Sequence, residues 1–134
     1  MTTTINTEGK GAFSVSIIGA NNANNAGLGG IANPDGGDLL ILRATLYVKT
    51  HSTGAANLSA GIGAAGAAST DIVNALAMGG AIDGKYYNGF IMQNGAKTEA
   101  AAPAVWTSST FLNITGSADT TGLDATLYLE YVRV

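Results

Sequence analysis

The chain has 134 residues, 46% hydrophobic and only 11% charged, with six Lys and Arg against nine Asp and Glu for a formal charge of −3. That length supports one domain with a real core, and the scattered basic residues argue against nucleic acid as a partner, since phosphate binding needs clustered cations. The lack of cysteine removes disulfides, thiolate metal sites and thiol catalysis.

Charge this far below the roughly 25% of an ordinary domain leaves the surface to Ala, Gly, Ser, Thr and Asn. Such a surface lacks the repulsion that keeps neighbours apart, which suits a chain that lives in an assembly. Residues 1–12 are polar, with Thr2, Thr3, Thr4, Asn6, Glu8 and Lys10, and read as an N-terminal arm that only a neighbour would order. Residues 13–134 form a single β-sandwich domain in this reading. The opening Met-Thr-Thr-Thr-Ile-Asn has no basic region followed by an apolar run, so no secretory signal is visible. No stretch of about 18 apolar residues is present to span a membrane. A protein made in a cytoplasm, with no membrane partner, is expected.

Phe13 to Ile18 sets Phe13, Val15 and Ile17 against Ser14 and Ser16, the alternation of a first strand. Gly19 to Gly37 is rich in Asn, Gly and Ala and closes on Asn33-Pro34-Asp35-Gly36-Gly37, which is turn chemistry. The whole stretch reads as a long loop, of a length that in a compact domain means contact with a partner or local disorder. Asp38 to Thr50 is the strongest central strand, with Leu40, Leu42, Ala44, Leu46 and Val48 on one face and Arg43, Thr45, Tyr47 and Lys49 on the other. Ala55 to Gly63 alternates Ala56, Leu58, Ala60 and Ile62 with Asn57, Ser59, Gly61 and Gly63, where small residues mark a bend or the close approach of another backbone.

Thr70 to Met78 is the only helix-like piece. Thr70 can cap it, Ile72, Val73 and Leu76 give a short apolar stripe, and Gly79-Gly80 end it. Lys85 to Met92 and Ala104 to Trp106 are weaker strands around a polar excursion, Gln93 to Pro103. Thr110 to Thr115 sets Thr110, Leu112 and Ile114 against Phe111, Asn113 and Thr115. In the last strand Ala125, Leu127, Leu129 and Tyr131 oppose Asp124, Thr126, Tyr128 and Glu130. Strands separated by Gly-rich loops make an all-β chain, and a jelly-roll or Greek-key β-sandwich with one short helix is the expected fold.

Candidate chemistry is thin. Gly61-Ile62-Gly63-Ala64-Ala65-Gly66 matches the dinucleotide fingerprint G-x-G-x-x-G, and Asp83 lies where the ribose acid would be. The following helix is too short for a parallel crossover, however, and the flanking strands alternate instead of being apolar on both faces. A Gly-rich strand exit is the better expectation, and no cofactor is assigned. His51, the only histidine, has no acid nearby in sequence and no Gly-x-Ser-x-Gly elbow accompanies it, so it is expected exposed at the end of the central strand. Asp35 and Asp38 flank Gly36-Gly37 without the oxygen spacing of a calcium loop, and read as a turn. Asn57-Leu58-Ser59 and Asn113-Ile114-Thr115 match the glycosylation sequon inside expected strands. Asp119 and Asp124 bracket a turn and are not a paired acid and nucleophile. Trp106, Tyr86, Tyr87 and Phe90 could stack on sugar rings, but core packing explains them with less assumption. No catalytic group emerges, and the chain is read as non-enzymatic.

The combination of Leu-Leu-Ile-Leu-Arg-Ala-Thr-Leu-Tyr-Val at 39–48, Thr-Gly-Ala-Ala-Asn-Leu-Ser-Ala-Gly-Ile-Gly at 53–63, Asp-Ile-Val-Asn-Ala-Leu at 71–76 and the Ile-Thr-Gly-Ser-Ala-Asp…Leu-Glu-Tyr run at 114–131 resembles the jelly-roll decoration, or cement, proteins of tailed-bacteriophage heads. The resemblance covers about 40–134 and is one of strands and turns, without a chemical motif. It implies a structural protein on the capsid exterior, made in the host cytoplasm, bound to the major capsid protein and self-associated, with a trimer favoured. Contacts are then expected from the arm, at Thr4, Ile5 and Asn6, and from the 19–37 loop, at Asn22, Asn25, Leu28 and Ile31. The rival class is a carbohydrate-binding or host-adhesion jelly roll, which calls for an exposed Trp106.

Overall fold

The computed structural model describes residues 10–21, 26–89, 92–93 and 105–134, and the regular structure among them is entirely β. The strands are β1 (Lys10–Ile18), β2 (Ala26–Ala32), β3 (Leu39–Thr50), β4 (Asn57–Gly63), β5 (Val73–Ala77), β6 (Lys85–Gly89), β7 (Met92–Gln93), β8 (Val105–Trp106), β9 (Phe111–Gly116) and β10 (Asp124–Arg133). β1 thus starts inside the expected arm, at Lys10.

Pairing follows one long hairpin folded in four nested layers. β4 pairs β5, β3 pairs β6, β2 pairs β9 and β1 pairs β10, all antiparallel. Successive layers fall in alternate sheets, one ordered β1-β10-β3-β6 with β8 also on β3, the other β2-β9-β4-β5-β7. Winding a long hairpin in this way produces the jelly-roll form of the β-sandwich.

Side-chain alternation places the core between the sheets. Ile17 on β1, Ala44, Leu46 and Val48 on β3, Ala125, Leu127 and Leu129 on β10, Leu58 and Ala60 on β4, and Leu112 and Ile114 on β9 are all buried. Trp106 is 0% exposed. Its Nε1 donates to the Thr110 carbonyl at 3.0 Å, its own carbonyl accepts from Asn33 Nδ2 at 2.9 Å, and its ring lies 5.6 Å from that of Phe13. The aromatic body is therefore in the core with its one polar atom satisfied.

Three departures from the sequence pattern each coincide with a β-bulge. Between Glu130↔Arg43 and Tyr131↔Ile41 the register slips by one residue, leaving Leu42 extra on β3. Such a bulge turns the following side chains to the other face, so Leu39 and Ile41 are buried while Leu42 is exposed and Leu40 only half-buried. On β5, Leu76 opposes Leu58 and Val73 opposes Ala60, so two residues face Ser59. Ala75 sits there at φ +50°, its N–H bonded to Ser59 Oγ at 3.0 Å. The bulge spaces the buried Val73 and Leu76 three apart, which mimics a helical stripe; the helix expected at 70–78 is this strand. Finally, the long loop expected at 19–37 holds strand β2, whose bulge between Gly27 and Gly29 leaves Leu28 as the extra residue.

Trp106→Ala is expected to cost about 3–5 kcal/mol, as for other buried large aromatics, read as a lower urea midpoint at unchanged slope.

Candidate interaction surface

The outer face of the β1-β10-β3-β6 sheet collects the exposed aromatic residues. Pairing aligns Ser14, Tyr128, Thr45 and Asn88 in one row across the four strands, and Ser16, Thr126, Tyr47 and Tyr86 in the next. Tyr86 is 67% exposed and Tyr128 48% exposed, and the Tyr47 and Tyr86 rings stand 5.9 Å apart with 38° between their planes. Tyr128 lies diagonal to Tyr47, at a typical separation of about 7–8 Å. Thr45 Oγ1 donates to Asn88 Oδ1 at 2.5 Å, which fixes the amide at the edge of the group. Rows of opposite charge flank these residues. Arg43 faces Glu130 on one side and Lys49 faces Asp124 on the other, each pair at 4.0 Å. The charges cancel locally, although exposed pairs of this length add little stability.

One ion pair and one histidine–aspartate hydrogen-bonded contact at the ends of the sandwich tie remote segments together. Arg133 Nε donates to Asp35 at 2.9 and 2.8 Å and its Nη2 at 2.6 Å, a fork that joins the end of β10 to the β2–β3 turn. The turn itself is shaped by Asn33, whose Oδ1 accepts from the Asp35 and Gly36 N–H groups. The Arg133 hydrogen bonds hold the Asp35 carboxyl below its ordinary value of 3.8. His51 stands just past the end of β3 and is only partly exposed, and it has an acid partner that sequence distance concealed. Asp83 Oδ1 accepts from its backbone N–H at 2.8 Å and lies 2.7 Å from Nδ1. These bonds lower the Asp83 pKa. The pair joins the end of β3 to the start of β6, and among the described residues no serine or threonine hydroxyl is hydrogen-bonded to the ring.

The fingerprint glycines are packing features. The 64–71 segment folds back over β4, where Asn113 Nδ2 donates to the Ala64 carbonyl at 2.8 Å and Asn113 Oδ1 accepts from Gly66 N–H at 3.2 Å. Asp71 Oδ1 accepts from Ile62 N–H at 2.8 Å. A Cβ on Gly61 would overlap that carboxylate and stand 2.8 Å from the Ser69 carbonyl carbon, while one on Gly63 would meet Ser69 Oγ at 2.6 Å. Gly66 turns at φ +78°, a left-handed conformation that favours glycine. A dinucleotide fingerprint would precede a helix N-terminus; here the glycines admit a backbone, and Asp83 is engaged by His51.

Of the contact residues expected from sequence, Thr4, Ile5, Asn6, Asn22 and Asn25 lie outside the described residues. Leu28 and Ile31 are on β2, partly buried against the core, which leaves part of each side chain for a neighbour. Trp106 is unavailable for stacking on a ligand, Tyr87 packs partly against the core, Phe90 lies outside the described residues, and Tyr86 is open. Sequence inspection missed Tyr47 and Tyr128 as members of the same surface; both were legible as outward-facing, and only the strand order brings them together. Among the described residues no cluster of three or more His, Asp or Glu side chains could hold a metal, and no helix is long and apolar enough to cross a membrane. No protein-family model, curated protein or solved structure matches the chain.

Gly61→Ala is expected to destabilise the fold by about 1–3 kcal/mol, the usual cost of forcing an atom into packed structure, whereas Gly54→Ala, with open space at its Cβ position, is expected to be near neutral in the same urea titration. The depressed Asp35 pKa makes its contribution to stability full above the ordinary carboxylate value and lost as pH falls through the folded value. Asp35→Asn is therefore expected to be less stable than the parent at pH 7 and to converge with it in strong acid, measured as urea midpoints from pH 7 down to pH about 2.

Proposed function

We propose that the protein is a non-enzymatic structural component of a tailed-phage virion, a decoration protein bound to the outer surface of the head through the major capsid protein. The observation that carries this reading is the jelly-roll strand order wound from a chain whose surface is nearly uncharged. It agrees with the fold implied by the resemblance to head decoration proteins, and its physical logic is independent of that resemblance. A surface of small neutral side chains has little charge repulsion to overcome when copies crowd on a lattice.

Self-association, with a trimer favoured, fits the same surface. Attachment is assigned to residues 1–9, which precede β1, and to the segment around β2, where Leu28 and Ile31 offer partial apolar exposure. Contacts of a few kcal/mol per copy become durable when a neighbour raises the effective concentration of the next contact.

The protein is expected to sediment as a trimer and to bind saturably to undecorated heads of the phage that encodes it. Removing Met1 to Gly9 is expected to abolish co-sedimentation while leaving the melting temperature unchanged, because β1 begins at Lys10. A monomer with no affinity for heads would refute the decoration role; full occupancy by the truncated protein would rule out the arm as the attachment element.

A further inference from the structure

We infer that the outer face of the β1-β10-β3-β6 sheet binds a neutral polysaccharide, with the rings of Tyr47, Tyr86 and Tyr128 as stacking surfaces and Thr45, Thr126 and Asn88 as hydrogen-bonding partners. The inference does not depend on head attachment, which is assigned to other segments.

The exposure of the rings is the starting point. Tyr86 and Tyr128 keep 67% and 48% of their surface in water on a face that the fold does not cover. Aromatic rings held this way by a rigid sheet carry a standing driving force for apolar contact. They also lose little conformational freedom on binding, since their backbone is already fixed in strands. The Tyr47 and Tyr86 rings, 5.9 Å apart and inclined by 38°, form a shallow aromatic angle and do not stack flat on each other, so ring surface remains for a third partner.

The neighbours decide which partner. Thr126 lies between Ser16 and Tyr47 in one row and Thr45 between Tyr128 and Asn88 in the other, so the Tyr47 and Tyr128 rings each adjoin a threonine hydroxyl while Tyr86, at the edge, adjoins Tyr47. Because Asn88 accepts the Thr45 hydroxyl proton, its carbonyl side is occupied and its two amide hydrogens are the donors that remain. A sugar ring presents an apolar C–H face together with a rim of hydroxyls, and this surface is its complement: ring faces for the first and alternating hydroxyl and amide groups for the second.

Charge narrows the class. The basic side chains that border the face, Arg43 and Lys49, are each set against a carboxylate, Glu130 and Asp124. An acidic glycan or a nucleic acid would need cations without a partner at this place, and a cationic chain would need a net negative field. Among the described side chains the face offers neither, Lys85 falling in the register of the inward-facing Val48 and not of Tyr47 and Tyr86, and an uncharged polymer is the ligand that meets no electrostatic penalty there. Neighbouring repeats of such a polymer can engage successive rows of the sheet, so modest affinity per sugar accumulates along the chain.

The test is affinity electrophoresis of the full-length protein through native gels containing dextran, mannan or galactan, with heparin as the polyanionic comparison. Retardation by at least one neutral polymer and none by heparin is expected. Tyr86→Ala and Tyr128→Ala are each expected to weaken that retardation roughly ten-fold, the loss of about one aromatic contact, and Tyr86→Phe is expected to retain most of it. Unchanged melting temperatures would separate lost binding from lost fold. Free migration in all three neutral gels, stronger retardation by heparin, or equal retardation of the alanine variants would overturn the inference. So would a concentration-dependent dimer that Tyr86→Ala dissolves, which would assign the face to a second copy. Head co-sedimentation of the double alanine variant separates the two functions: normal head binding with lost polysaccharide binding supports the inference, and loss of both overturns it by giving the face to the capsid.

Discussion

The structure depends on one strand lying between two others. β10 pairs β1 along nine residues on one side and β3 along ten on the other, so the first and third strands of the chain meet only through the last. Its inward residues Ala125, Leu127 and Leu129 are fully buried, and its outward residues Thr126, Tyr128 and Glu130 complete the rows of the exposed face. Core and surface are thus set by one alternation. Most contacts in such a topology join residues far apart in sequence, so chain-entropy loss precedes the burial that compensates it, and folding is expected in the slower range for domains of this size.

Closure also needs the crossings between layers to be tight. Where the chain leaves β1, Gly19 N–H donates to the Leu123 carbonyl at 2.8 Å, and the buried Thr120 hydroxyl accepts from Ala20 N–H at 3.0 Å and lies 3.1 Å from the Ala20 carbonyl. A Cβ on Gly19 would overlap the Thr120 carbonyl. Gly61 and Gly63 serve the same need at the other sheet, where the 64–71 segment lies against β4. Much of the glycine that lowers the charge fraction of this chain is therefore structural. The unusual composition has two origins, backbone-on-backbone packing and a neutral exterior, and only the second concerns partners.

Strands with unbroken alternation were legible in the sequence. β1, β4, β9 and β10 fall where the period of two places them, because their own side chains alternate without an inserted residue, the extra residues at the register shifts lying on their partners β2, β3 and β5. Bulges hid the faces of β3 and the nature of β5. At Leu42 an inserted residue reverses the faces within a run of four apolar side chains, and no pattern in Leu39 to Leu42 marks which residue is extra. At Asn74-Ala75 the insertion spaces Val73 and Leu76 like a helix. β2 was obscured differently, since its glycines carry no side chain to alternate. The partnership of His51 with Asp83, and the convergence of Tyr47, Tyr86 and Tyr128, required strand order, which hydrophobic pattern does not encode. Sequence could show that each tyrosine faces outward; it could not show that they face outward together.

A nearly neutral exterior has consequences for how the protein can work. A charged surface gains specificity by steering and by repelling wrong partners, both of which weaken with salt over a Debye length of about 8 Å at physiological ionic strength. A surface of hydroxyls, amides and paired ions gives up that range. It must discriminate at contact, through shape and hydrogen-bond geometry, and it is correspondingly indifferent to salt. Short-range recognition of this kind is weak for a single copy and strong for an array, because each bound copy or sugar repeat raises the local concentration of the next. The proposed lattice attachment and polymer binding would both supply repetition. The same scarcity of charge that would make a free monomer prone to association is tolerable where copies are held apart by a scaffold, and that condition would link the composition of this chain to the assembled role proposed for it.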